Sequence, residues 1–365
     1  MRLSRWSALW IVLAVAVIAG VMIGTLRLSM LDVVNGVFGI GEPMPVSVVR
    51  TLRLPRVLLA ALVGAGLGAA GAALQGATRN KLAEPYLLGI SGGAAVGAVL
   101  ATAFHAPSAL VPVAGFAGAL AAVALTLLVA RASGGRGDAR VVLMAGVVVG
   151  AFANSIIMVA LANADVSAVR GALWWMMGSV AEASWMQVRV LALFVAIGIG
   201  VLLALGRTID VLALGDDTAA GLGVDVTRVS LGVYVAGALL AAGTVSAAGL
   251  VGFVGLLVPH LVRLAGARTH RTIIGAAALA GAALVVCADL IARVALACIR
   301  RASTSSKGAR FKRMGVPSCQ RLDICRTAGP LKPRWVKSRS SRKEVRDFLE
   351  PVSIRTGSDN PESDA

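Results

Sequence analysis

Residues 57–75 read VLLAALVGAGLGAAGAALQ, nineteen consecutive positions without a charge, entered from Arg53-Leu-Pro-Arg56 and left through Thr78-Arg-Asn-Lys-Leu-Ala-Glu-Pro-Tyr86. As a helix rising 1.5 Å per residue, such a run is about 30 Å long, the thickness of the hydrocarbon core of a bilayer. Its small residues carry a second message. Gly64, Gly68 and Ala72 recur every four positions on one face, the spacing that lets another backbone approach closely where lipid supplies no hydrophobic drive. That face argues for dense helix packing and is silent about any cargo.

Eight further apolar runs flank this one: Ser7–Leu26, Leu87–Phe104, Leu110–Ala130, Val141–Ala162, Val190–Leu205, Val229–Ala247, Leu250–Val262 and Ile273–Leu296. The run from Leu250 is short and abuts its predecessor through Ala248 and Gly249, so a tight hairpin is expected there. With 58% hydrophobic and 15% charged residues, the chain is too apolar for a soluble domain of ordinary composition. The expected architecture is all-α, a polytopic transmembrane helix bundle of about nine spans. Arg2 and Arg5 precede the first run as in a signal peptide, but no Ala-x-Ala-like site follows and further runs do, so the first run reads as an uncleaved span. Loop arginines place the N-terminus inside the cell.

The formal charge of +17 would suggest nucleic acid in a soluble protein, but it is unevenly placed: 16 Lys and Arg stand against 7 Asp and Glu after Ile299, and 19 against 11 before. Cys287, Cys298, Cys319 and Cys325 fall in no CxxC or ligand-like spacing and read as inert. His105, His260 and His270 are scattered, without the constellation a zinc site needs. No Gly-x-x-x-x-Gly-Lys-Ser/Thr loop occurs, so no Walker motif on this chain binds ATP. The stretch Gln75–Ala94 mixes polar groups, Pro85 and several glycines at membrane depth. Irregular backbone is tolerated there only when it is buried in protein or lines a wet cavity; the alternative is an ordinary cytoplasmic turn.

Five ordered blocks carry a resemblance: Arg53-Leu-Pro-Arg56, Gln75–Gly93, WWMMGSVAEASW at Trp174–Trp185, GFVGLLVPHLVR at Gly252–Arg263, and Asp289-Leu-Ile-Ala-Arg293. Together they resemble the FecCD-type permeases, which import iron-siderophores, haem or cobalamin. The match runs over roughly Ser7–Leu296. The resemblance implies a ten-span permease fold in the bacterial inner membrane, working as a homodimer with two ATP-binding-cassette ATPase subunits and a periplasmic substrate-binding protein. It implies no enzyme and no cofactor on this chain, ATP and Mg belonging to the partner ATPase. The implied mechanism is alternating access, with iron-siderophore as the default cargo.

Residue by residue, the resemblance puts Arg53, Arg56 and Arg293 on the periplasmic face, where they would receive carboxylates of the binding protein. Arg293 also stands i to i+4 from Asp289 and can pair with it along one helix. Asn80 and Leu82 match positions that narrow the cytoplasmic mouth of the path. Lys81 stands where the family pattern has proline, which exchanges a φ-locked residue for a flexible cation. Gly215, Asp216, Asp217, Thr218, Ala219, Gly221, Leu222 and Gly223 match the loop that fits a cleft on the ATPase; Asp216 or Asp217 can equally be a plain helix cap. His270 and Arg271 resemble the family's Asp-His-Arg, with Thr269 in place of the Asp.

Two other classes make different demands. An ion-coupled secondary transporter needs carboxylates inside its spans, and only Asp289 lies well within a run. An intramembrane enzyme needs a nucleophile and base, and no such pair is visible. The permease domain is expected over 1–297. From Cys298 the chain turns polar and basic, and lysine use changes: Lys81 is the one lysine before that point, while Lys307, Lys312, Lys332, Lys337 and Lys343 follow it. Nine spans would leave this 298–365 tail outside, against the positive-inside rule. The tail reads as a disordered segment from a changed reading frame, with the family's tenth span missing and the copy defective.

Overall fold

A computed structural model describes residues 3–24, 26, 28–134 and 138–313, with side chains described from Trp6 to Leu296 within those ranges. The chain order is α1 (Leu3–Met22), α2 (Met30–Phe38), α3 (Pro43–Ser47), a π-helical turn Val48–Arg53 running directly into α4 (Leu54–Ala77), a 3₁₀ turn Pro85–Leu88, α5 (Ile90–Ala103), α6 (Leu110–Ala132) and α7 (Ala139–Ala162). It continues with α8 (Val166–Met176), α9 (Trp185–Leu212), α10 (Asp216–Gly221), α11 (Val226–Ala248), α12 (Val254–Leu264) and α13 (His270–Arg313). No strand occurs among the described residues. The chain divides into two compact units, Met1–Ala302 and Ser303–Ala365. Of the second, only the end of α13 is described, and the remainder of the expected tail lies outside the described residues. α13 itself continues through the expected boundary at 297.

Each of the nine apolar runs falls on a helix or its approach. Among the described residues six helical stretches are long and apolar enough to cross a membrane, while Trp6–Met22, Ile90–Ala103 and Val254–Leu264 are apolar but shorter. The chain is a multi-pass membrane protein. α4 is its axis: 78% of its most apolar window is buried, against 22% for α9, because α9, α11 and α12 all pack on α4. The glycine face drives this closeness. A Cβ on Gly64 would overlap the Gly281 carbonyl on α13, one on Gly68 would overlap that of Ala277, and one on Gly71 would overlap that of Gly255 on α12. Larger side chains there would force apart backbones that now touch.

α12 contains Pro259, which has no N–H to give the carbonyl four residues back. That carbonyl belongs to Gly255, and the buried Gln75 of α4 supplies the missing donor, its Nε2 lying 3.3 Å from Gly255 O and 3.3 Å from Leu256 O. Arg263 Nη1, 2.6 Å from Gln75 Oε1, holds the amide in that orientation. A break in one helix is thus mended by its neighbour.

The tight hairpin expected between α11 and α12 is not formed, because α12 lies along α4 instead. Gly249, at φ 71° and ψ −160°, turns the chain away. Ser179 N donates to Ala248 O at 2.7 Å, and Leu250–Phe253 runs non-helically into the bundle. The segment 78–88 does the same from the other side. Pro85 lies against Gly255, itself beside Leu67 and Gly71 of α4, so the chain re-enters the bundle after leaving α4 at Ala77. From Ala83 to Leu88 its irregular backbone is enclosed by protein, as a low-dielectric setting demands, while Asn80, Lys81 and Leu82 stay exposed.

Candidate functional sites at the two ends of the bundle

At one end α1, α4 and α13 meet around four ionised side chains. Arg56 grips Asp289 with two nitrogens, Nη2 at 2.6 Å and Nε at 3.0 Å from Oδ1. Arg293 Nη2 sits 2.7 Å from Asp289 Oδ2, the i to i+4 pair that the spacing suggests. That approach is off the hydrogen-bonding direction, since Arg293 Nη2 and Nε have no hydrogen-bond acceptor; the contact is coulombic. Arg293 Nη1 donates instead to the carbonyls of Gly20 and Ile23. One carboxylate thus holds two helices and two cations, with Asp289 only 7% exposed.

Arg53 departs from its expected place at a docking surface. It is 5% exposed, and its guanidinium donates to Val21 O at 2.8 Å, Met22 O at 3.0 Å and Leu26 O at 2.6 Å. The reason is the end of α1, whose last carbonyls have no intrahelical donor; a cation there satisfies them and complements the helix dipole. Three of the five N–H groups of the guanidinium are used in this capping. Arg293 is nearly as enclosed, at 9%, whereas Arg56 keeps 24% exposure. Arg50, on the π-helical turn, is exposed and donates to Val37 O at 3.3 Å; sequence reasoning passed over it.

The opposite end carries loops. Asn80 folds the turn after α4: its Oδ1 accepts from Leu82 N at 2.9 Å and its carbonyl from Ala83 N at 3.1 Å. An Asx turn of this kind needs no proline, so Lys81 is accommodated. Asn80, Lys81 and Leu82 are all exposed. Gly215, not an aspartate, occupies the N-cap of α10, and no side chain caps it. The capping role open to Asp216 and Asp217 is not realised; both stand in the first turn, and Asp216 Oδ2 pairs with Arg79 Nη2 at 2.8 Å. Ala219 is buried, α10 packs on α9 and α11, and Leu214 and Leu222 on either side of it are exposed.

His270 begins α13 beside α9: its Nδ1 lies 2.7 Å and its backbone N 2.8 Å from Asp210 Oδ1. This is a helix start capped from another helix, which no local pattern reveals. His105 Nε2 lies 3.5 Å from Asp165 Oδ2, and His260 is exposed on α12. Asp165 caps α8, and the Ala168 N–H it receives, helped by the Ser167 hydroxyl, holds its carboxyl below the usual carboxylate range. No group of three His, Cys, Asp or Glu among the described residues is placed to hold a metal. A cleft of about 270 Å³ lies among α6, α9 and α11. Of its polar groups, Gln187 Oε1 accepts from Ser184 N and the Ser246 hydroxyl donates to Pro112 O, and the rest of the lining is apolar.

The sequence profile of the FecCD transport family matches residues 12–303. The chain belongs to the FecCD transport family. It is 44% identical over 248 residues to the vitamin B12 import system permease protein of Vibrio cholerae, covering 67% of this chain and 74% of that one. It is 36% identical over 296 residues to an ABC transporter permease protein of Bacillus subtilis, YvrB, covering 77% and 83%. Against the Fe(3+) dicitrate transport permease FecC of Escherichia coli it is 38% identical over 257 residues, 68% of this chain and 76% of that one. Among solved structures it resembles an inward-facing conformation of an ABC transporter assigned to the metal-chelate type, with a TM-score of 0.72 and 26% identity over 80% of this chain and 91% of that one.

Proposed function

We propose that this FecCD permease is the membrane-spanning subunit of an ABC importer for a metal chelate, a haem or a cobalamin. The observation that carries the reading is the family match over 12–303 together with relatives named for vitamin B12, hemin and ferric citrate. ATP is hydrolysed by a separate subunit, two permeases form the path, a binding protein delivers the cargo, and the assembly works by alternating access in the cell membrane. Iron-siderophore remains the default cargo. The exposed edge of Arg56 is assigned to binding-protein docking, Asn80 and Leu82 to the mouth of the path, and Gly215–Gly223 to the ATPase cleft. The exposed Leu214 and Leu222 favour the last assignment, since apolar side chains beside a short polar helix suit a covering partner. The switch in lysine use after Cys298 is assigned to a changed reading frame, which sequencing the locus would check.

The secondary-transport alternative draws no support from the one intraspan carboxylate it could use. Asp289 is tied to both Arg56 and Arg293 in ion pairs that join α4 to α13, a structural use of that carboxylate. The test is co-expression with the neighbouring ATPase and binding protein, followed by affinity purification through a tag on the binding protein. A complex containing all three, with ATP hydrolysis inhibited by vanadate and raised by the loaded binding protein, is the expected result. A binding protein recovered without the permease and the ATPase would overturn the reading.

A further inference from the structure

The segment 78–88 is held by side chains at both of its ends and by almost nothing between them. At the α10 end, Arg79 Nη2 meets Asp216 Oδ2 at 2.8 Å. Arg79 adopts a φ of 53°, a left-handed conformation uncommon outside glycine, and this backbone choice aims its side chain at the α10 loop. At the deep end, Glu84 Oε1 accepts from Phe253 N at 2.9 Å, and the Tyr86 hydroxyl donates to Val251 O at 2.9 Å. Pro85 lies against Gly255 beside α4. Between these anchors the turn Asn80–Ala83 has its internal hydrogen bonds and one from Asn80 N to Thr78 Oγ1 at 3.4 Å, and Asn80, Lys81 and Leu82 are exposed.

The two anchors differ in kind. Glu84 and Tyr86 are tied to the approach to α12, which is locked to α4 through Gln75. Arg79 is tied to a loop that packs on α9 and α11 and is largely exposed. We propose that the Arg79–Asp216 ion pair is the strut through which displacement of the α10 loop reaches the Asn80–Ala83 turn, with Arg79 as a positioning residue and Glu84 as the fixed end. The proposal rests on the reading of Gly215–Gly223 as the loop that meets the ATPase. In the free chain the pair is exposed and screened by salt. A partner covering α10 excludes water and lowers the local dielectric, so the strut stiffens when the complex assembles.

The test uses the detergent-purified complex of the full chain with its cognate ATPase, the four native cysteines replaced by serine and Leu82→Cys introduced as a reporter. Its maleimide labelling rate is compared without nucleotide and with ATP plus vanadate. The expected change is about fivefold or more, the lower end of ordinary coupling between sites. Arg79→Ala removes the change while the ATPase still co-purifies, Asp216→Ala removes it as well, and the swap Arg79→Asp with Asp216→Arg restores it. A change that survives both single substitutions, one that the swap fails to restore, or none in the parent complex overturns the strut. An ATPase that binds undiminished after Ala219→Trp combined with Leu222→Asp overturns instead the reading of the α10 loop on which it rests.

Discussion

Where α1, α4 and α13 meet, charges are buried and answered several times over; at the α10 end they are exposed and joined once. Arg53 makes three bonds to carbonyls and Asp289 meets two arginines, whereas Arg79 and Asp216 have each other and water. Buried charges tolerate no partial solution, because an unpaired ion in low dielectric is costly. That end is therefore fixed. Exposed pairs form and break with little change in free energy, so the α10 end can rearrange without unfolding the bundle. A transporter that opens to one side at a time needs one region that keeps the helices together and another that yields.

Substitutions at four positions sharpen this contrast. The largest effect is expected for Asp289→Ala, which strands Arg56 and Arg293 and costs about 3–5 kcal/mol, as breaking a buried pair does. Thermal unfolding in detergent would report it, with Asp289→Asn falling between mutant and parent. Arg53→Met leaves the carbonyls at the end of α1 without donors, at about 1–3 kcal/mol; proteolysis of the 20–30 region should quicken. Gly64→Val drives a side chain into the Gly281 backbone and costs about 1–3 kcal/mol or more, visible as reduced membrane abundance. Arg79→Ala at the other end should change stability by no more than about 1 kcal/mol and yet reduce ATP-driven uptake. An unfolding shift for Arg79→Ala as large as that for Asp289→Ala would erase the distinction between the two ends.

What could be read from the sequence follows from range. The apolar runs are local and each lands on a helix or its approach, and Gly64 and Gly68 of the periodic small-residue face lie against α13. The Asp289–Arg293 pair is likewise a matter of helical spacing. Nothing beside Arg53 in the sequence shows that it will cap the end of α1, because Val21 and Met22 belong to another helix. Pro259 announces a broken helix, but nothing near it announces that Gln75 will supply the donor. The turn at Gly249 looked like a hairpin because the two apolar runs adjoin; the choice of α4 as the surface for α12 is tertiary. Asp216 looked like a cap, since caps are local, and its partner Arg79 lies in another loop.

The most direct test of the whole account is uptake by proteoliposomes containing the permease and its ATPase, supplied with binding protein and labelled ferric siderophore, haem or cobalamin in turn. The account predicts that one of these accumulates only with ATP inside and binding protein outside, at a rate unchanged by a protonophore. Accumulation that proceeds without ATP and stops when the proton gradient is collapsed would contradict it.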